Sequence, residues 1–166
     1  MKHPIAAFAL LIALAAPALA EGPVADTADT ETASAFAEAV FPRINSFSPG
    51  HDPSSLDRYI RFFATTASFD EYKAGIEQSG VADIAFRQGG IVVTEIISKT
   101  IGRETGEGAW SAEFVARTKT FSGDTEEVDC RSVKVALAEL PSAPGMNAVG
   151  ITSIETSKTK ITCPKE

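Results

Sequence analysis

Apolar positions in this chain follow two regimes: helical spacing first, then alternation. Ala33, Phe36, Ala37, Val40, Phe41 and Ile44 recur at steps of three and four, which places them on one helical face. Asp29 or Thr30 can cap the start, and Pro42 inside the pattern predicts an end or kink near Phe41. The loop 46–53 carries two prolines and a glycine. A short second helix is predicted over 54–63, burying Leu56, Tyr59, Ile60 and Phe63. Ser68-Phe69-Asp70-Glu71 reads as a capping box, with the serine hydroxyl on a first-turn amide and Glu71 reaching back. The helix it opens buries Phe69, Tyr72 and Ile76, and Gly80 supplies a left-handed stop.

After Gly80 the period becomes two. Ile84 and Phe86 predict a short strand, and Gly89-Gly90 suits a tight hairpin turn. The β-branched run 91–101 predicts a strand, and Gly106-Glu107-Gly108 turns the chain. Strand 109–121 puts Trp110, Ala112, Phe114 and Ala116 on one face, with Ser111, Glu113, Arg117 and Lys119 on the other. A turn at 122–125 and strands over 128–140 and 148–156 complete the pattern. Helices followed by a meander of four to five antiparallel strands predict one α+β domain over 29–166. Its helices cover one face of a curved sheet.

The first residues change where this domain is expected to work. Lys2 and His3 precede an apolar run that ends in Ala18-Leu19-Ala20, the small-x-small pattern of a secretory signal peptide cleaved between Ala20 and Glu21. The run is shorter than the roughly 20 residues needed to cross a bilayer as a helix, and Pro17 breaks it. No cysteine follows it for lipid attachment. The expected mature protein is exported and periplasmic, with 21–28 as a flexible lead-in and no membrane span after cleavage.

Losing Lys2 leaves 14 basic against 22 acidic residues, a formal charge of −8 where the full chain has −7. That balance, without a basic stripe, disfavours nucleic acid. Cys130 and Cys163 are the only cysteines. In an oxidising compartment they read as one structural disulfide, worth about 4 kcal/mol on the chain-entropy model. Their separation is unlike Cys-x-x-Cys, and no histidine lies nearby, so a redox or metal role is disfavoured.

Little in the chain points to catalysis. His51, in Gly50-His51-Asp52-Pro53, has no serine elbow to serve and reads as a loop residue. Asp124, Glu126, Glu127 and Asp129 lack the sixth-position glycine and closing glutamate of an EF-hand, and read as a solvated hairpin end. Neither a metal nor a cofactor is expected. Tyr59, Phe63, Tyr72, Phe86, Trp110 and Phe114 form either the core or the lining of a pocket between helices and sheet. Asp83, Asp57 and His51 are the only bases an enzyme there could recruit.

Four short segments carry a resemblance. Ser79-Gly80-Val81, Gly89-Gly90-Ile91-Val92-Val93, Gly108-Ala109-Trp110 and Val149-Gly150-Ile151-Thr152-Ser153-Ile154 together resemble the DotI/IcmL/TraM family. These are periplasmic domains of type IVB secretion and conjugation systems. The resemblance covers roughly 30–157 and implies a nuclear-transport-factor-two-like (cystatin-like) fold. It also implies a non-enzymatic subunit or accessory acting through protein–protein contacts with an envelope partner, self-association being left open. Relatives in the core complex keep an N-terminal membrane helix, and the family tends to carry a proline where this chain has Phe114-Val115-Ala116. With the cysteine pair, these departures imply a free periplasmic relative. The alternative of another class is a small-molecule-binding or enzymatic domain of the same fold; a secreted inhibitor is a third.

Intact-mass measurement of the exported protein should return a chain beginning at Glu21. Alkylation without reductant should label neither cysteine. Retention of Met1–Ala20 would remove the export reading, and labelling of both cysteines would remove the staple.

Overall fold

The computed structural model describes residues 28–141 and 147–164. The signal segment, the cleavage pair Ala20 and Glu21, and the lead-in up to residue 27 lie outside the described residues. The element order is α1 (Thr30–Ile44), a 3-10 segment (Pro53–Phe62), α2 (Thr66–Gln78), a helical turn (Gly80–Ala82) running into a π-helical turn (Asp83–Arg87), and then five strands. These are β1 (Ile91–Ile96), β2 (Ile101–Gly106), β3 (Ala109–Ser122), β4 (Thr125–Glu139) and β5 (Val149–Thr156). All pair antiparallel in the order β1-β3-β4-β5, with β2 also on β3. Helices packed on an antiparallel sheet of five strands make the fold α+β, of nuclear-transport-factor-two-like type.

α1 starts where Asp29 Oδ1 accepts the Thr32 amide at 2.7 Å, a bond that also holds the Asp29 carboxyl below its usual range. It runs three residues past Phe41, through Pro42. A proline costs one bond to the carbonyl four residues back, here that of exposed Glu38, where water can replace the lost donor. The helix still closes, because the Asn45 amide and its side-chain Nδ2 both donate to the Phe41 carbonyl.

The second helix is of the 3-10 type, and this changes which residues it buries. Three residues per turn align Leu56, Tyr59 and Phe62 inward and leave Ile60 45% exposed. Phe63 is buried from extended backbone just beyond. Asp52 caps this segment, and its bonds from Ser54 and Ser55 lower its carboxyl pKa. α2 begins one turn earlier than the motif at Ser68 suggests. Thr65 is the cap, its hydroxyl takes the Ser68 amide at 3.1 Å, and the Ser68 hydroxyl in turn accepts the Thr65 amide at 3.2 Å. Ser68 therefore occupies the third helical position, and Glu71 has no part in the box.

Two further expectations are corrected between α2 and the sheet. Gly80 is not a left-handed stop: it opens the next helical turn, and Ser79 is the cap. Ile84 and Phe86 lie in the π-helical turn rather than a strand, because Asp83–Arg87 closes on itself through Gln88 N to Asp83 O. Gly89, at φ +66°, then reverses the chain into β1 without a preceding strand to pair.

The run 91–101 is two strands. Ile97 still donates to the Val115 carbonyl, but the Val115 amide is taken by the Ser98 hydroxyl at 2.8 Å, so a side chain replaces the ladder. Pairing resumes at Ile101 opposite Glu113. β1 and β2 thus cover opposite ends of the same side of β3.

The inner face carries Trp110, Ala112, Phe114 and Ala116 from β3, set against Leu137, Val135, Val133 and Arg131 of β4. α1 lies on this face with Phe41 edge-on to Phe114 at 4.9 Å. Two bridges tie the helical layer to the sheet edges. Phe47 exchanges both backbone bonds with Val92 of β1, and Ala64 donates to Ile151 of β5 beside the Phe63 bridge.

Cys130 and Cys163 are joined, their Cα atoms 5.4 Å apart. β5 ends opposite Val133, and the tail then follows the bare edge of β4 through Ser157 N to Ser132 O and Ile161 N to Cys130 O. The tail therefore shields a stretch of strand that would otherwise present unpaired groups.

Gly150 sits where a Cβ would lie 2.8 Å from the Ala64 nitrogen and 2.9 Å from its Cα, both backbone. Gly150→Ala should cost about 1–3 kcal/mol in urea unfolding. Gly75→Ala, with open space around its Cβ inside α2, should instead stabilise by about 0.5–1 kcal/mol. Equal effects from the two substitutions would contradict this packing.

Candidate functional site

The helical layer does not seal the inner face completely. Between α2, the turns at 80–87 and the far half of the sheet lies a cavity of about 670 Å³. Its apolar walls come from Phe41, Phe47, Tyr72, Ile76, Val81 and Ile84. Its floor is a row of hydroxyls set by strand register: Thr94 of β1 opposite Thr118 of β3, with Thr120 two residues on. Thr94 is itself buried, its hydroxyl on the Asn45 carbonyl at 2.8 Å and 3.3 Å from that of Thr118.

Charged residues of β4 and the tail line the remaining side. Asp129 pairs with Arg131 at 2.9 Å, and Lys160 reaches Glu127 at 3.3 Å and Asp129 at 3.7 Å. Arg131 also donates to the Ser157 and Lys158 carbonyls, which ties the tail to the cavity wall. Glu127 and Asp129 share a face and Glu126 does not, since Thr120 and Thr118 stand opposite the first two and Phe121 opposite the third. These two carboxylates are a wall of the cavity as well as a hairpin end. The four charges compensate one another, so the wall is polar without a strong net sign.

Tyr72 borders the cavity and is the member of the six-residue aromatic set that does so. Its hydroxyl donates to the Ile44 carbonyl, at the end of α1. Burial, with a smaller contribution from the charge of Tyr59, drives its phenol pKa far above the ordinary tyrosine value. The others pack elsewhere. Phe63 lies between Phe69 and Tyr72 at 5.6 and 5.0 Å, Tyr59 stacks on Phe62, and Phe86 meets Phe47 at 5.5 Å. Phe114 is under α1, and Trp110 borders a separate shallow groove with Glu104, Glu107 and Glu139.

The three candidate bases are not gathered at the cavity. His51 folds back on its own loop, with Nδ1 against Ser48 and Nε2 taking a hydrogen bond from Arg58. Asp57 is paired with Lys73 at 2.8 Å, a bond that raises the lysine pKa. Asp83 is held by Arg87 at 3.0 Å and Gln88 at 2.7 Å. Among the described residues no three His, Cys, Asp or Glu side chains group as a metal site, and no helix is long and apolar enough to cross a membrane. Arg131, Lys160 and the threonine row escaped sequence reading. The alternation of Thr118 and Thr120 in phase with Ala116 was the available signal for the row.

Comparison with solved structures follows from this geometry. An IcmL-like type IV secretion system protein from Legionella pneumophila superposes with a TM-score of 0.67 at 14% identity, over 84% of this chain and 99% of that one. The periplasmic domain of DotI gives 0.66 at 12% identity, over 81% and 99%. The fold is that of the IcmL-like and DotI periplasmic domains. VirB8 from Agrobacterium tumefaciens is similar more loosely, at 0.53 and 14% identity over 81% and 94%. No family model matches the chain, and no curated protein matches it. The likeness is therefore one of fold, at 12–14% sequence identity.

Replacing Tyr72 with Phe strands the Ile44 carbonyl and should cost about 1–3 kcal/mol at pH 7. Because the folded phenol titrates above the unfolded one, its contribution is complete below the unfolded value and declines as pH rises past it. Wild-type protein should therefore lose more stability than Tyr72→Phe between about pH 9 and pH 11. Parallel losses would show that the phenol is not buried.

Proposed function

We propose that this chain is an exported periplasmic interaction module, a subunit or accessory of a type IV secretion or conjugation apparatus that acts through protein–protein contacts. The observation that supports it most is the extent of the likeness, which takes in 99% of both the IcmL-like protein and the DotI domain rather than a shared fragment. The proposed signal peptide, Met1–Ala20, would release the domain into the periplasm without an anchor. The disulfide suits that oxidising setting. The catalytic candidates, each engaged in a local pair away from the cavity, give no support to an enzymatic role.

One observation favours a second reading. A cavity of about 670 Å³ with apolar walls and a hydroxyl floor is of a size that holds a small molecule. On this reading the ligand is a largely apolar compound that takes hydrogen bonds from or gives them to Thr118 and Thr120.

Immunoprecipitation of the tagged protein from the envelope of its native host, followed by mass spectrometry, separates the two. Subunits of a secretion or conjugation apparatus should be recovered with it. Their absence, together with a small molecule released on denaturing the purified protein, would replace the first reading with the second.

A further inference from the structure

Three arginines of the helical layer face solvent without an acidic partner. Arg43, in the last turn of α1, and Arg61, in the last turn of the 3-10 segment, both lie over the ring of Phe62, 5.5 and 4.9 Å from its centroid. Phe62 stacks on Tyr59 at 6.3 Å, and Arg58 covers the Tyr59 ring at 4.9 Å. All three arginines are exposed, and none has an ion pair among the described residues. Lys99, Arg103 and Lys158 have no ion pair among the described residues either, so it is the shared aromatic support that sets these arginines apart. Lys73, Arg87, Arg131, Lys134 and Lys160 each find a carboxylate.

The position at helix ends accounts for the sign of these charges, since cations favour a C-terminal turn. It does not account for the shared ring. An aromatic face fixes the guanidinium plane and leaves the in-plane N–H donors directed outward. Arg58 already engages one guanidinium nitrogen, Nη2, with His51 and the Tyr59 hydroxyl. Arg43 and Arg61 have no side-chain hydrogen bond among the described residues, so two held forks stand open, and Ile60, the residue before Arg61, is 45% exposed.

We infer that Arg43 and Arg61, braced on Phe62, form together with the exposed Ile60 a docking surface for an acidic segment of a partner protein. Carboxylates of that segment accept paired hydrogen bonds from the two guanidinium groups, and an apolar side chain of it covers Ile60. Charge complementarity selects this occupant. A short acidic segment needs only a local patch of opposite sign, whereas an anionic bilayer would meet the acidic remainder of a chain of net charge −7. This names the partner's chemistry within the protein-contact reading and rests on that reading.

Fluorescence anisotropy with a labelled peptide of alternating glutamate and leucine tests it, with the glutamine counterpart and phosphatidylglycerol vesicles as the other arms. The glutamate peptide should bind, more weakly as salt rises. Arg43→Gln/Arg61→Gln should bind about tenfold less tightly. The exposed pair Lys99→Gln/Arg103→Gln should bind like wild type. Unchanged binding by the folded double variant, equal binding of the glutamine peptide, or arginine-dependent binding of vesicles alone would overturn the surface. In the envelope immunoprecipitation, recovery of apparatus subunits by the double variant also overturns it while leaving the contact reading intact. Failure of wild type to recover them overturns the contact reading instead.

Discussion

Two backbone bridges hold the helical layer to opposite edges of the sheet. Phe47 pairs with Val92 on β1, and the Phe63–Ala64 segment pairs with Ile151 on β5. Each bridge closes a strand edge that would otherwise stand open, and each drives a phenylalanine into the core. Between these two points the chain must supply its 3-10 segment, and β5 must approach closely enough that Gly150 admits no side chain. The cavity exists because of the same constraint. With both edges pinned, α1 fills one end of the concave face through Phe41 and Phe114, and α2 spans the other without reaching the threonine floor.

The helices sort their aromatic residues by distance from that cavity. Phe63, Phe69 and Tyr72 form one cluster beneath α2, and Phe36, Tyr59 and Phe62 form another where α1 meets the 3-10 segment. The first braces the cavity wall. The second, with Tyr59 and Phe62 buried, carries the three arginines over those two rings. A domain built this way can carry a protein contact on the helices and an internal space behind them without either surface using the other's residues.

What was legible in the sequence was whatever depended on a regular period. The inner face of α1 and the alternation of β3 read directly, because 3.6 and 2.0 leave different traces. Trp110, Ala112, Phe114 and Ala116 are inward as their spacing implied. The cysteines could be paired because there were only two in an expected oxidising compartment, and they are joined. Less legible were elements whose period is neither. A three-residue repeat was read as an α-helix, which put Ile60 inside when Phe62 is buried. The π-helical turn at 83–87 mimics alternation over two residues and was read as a strand. Ser98 breaks 91–101 through a side-chain bond to Val115, which no local pattern records. The cavity wall was hidden for a further reason: it joins β4 to a tail some 30 residues away, and only the fold brings Lys160 to Asp129.

The tail straddles β4, with Lys160 on the cavity side and Cys163 bonded to Cys130, whose neighbours Asp129 and Arg131 point the other way. Cys130 stands opposite Arg117, well inside the long β3–β4 ladder. A pull on the C-terminus therefore enters the molecule through a covalent bond in mid-strand rather than at the end of β5. Residues next to Cys163 are thus tied to the middle of β4 and not only to the strand that precedes them.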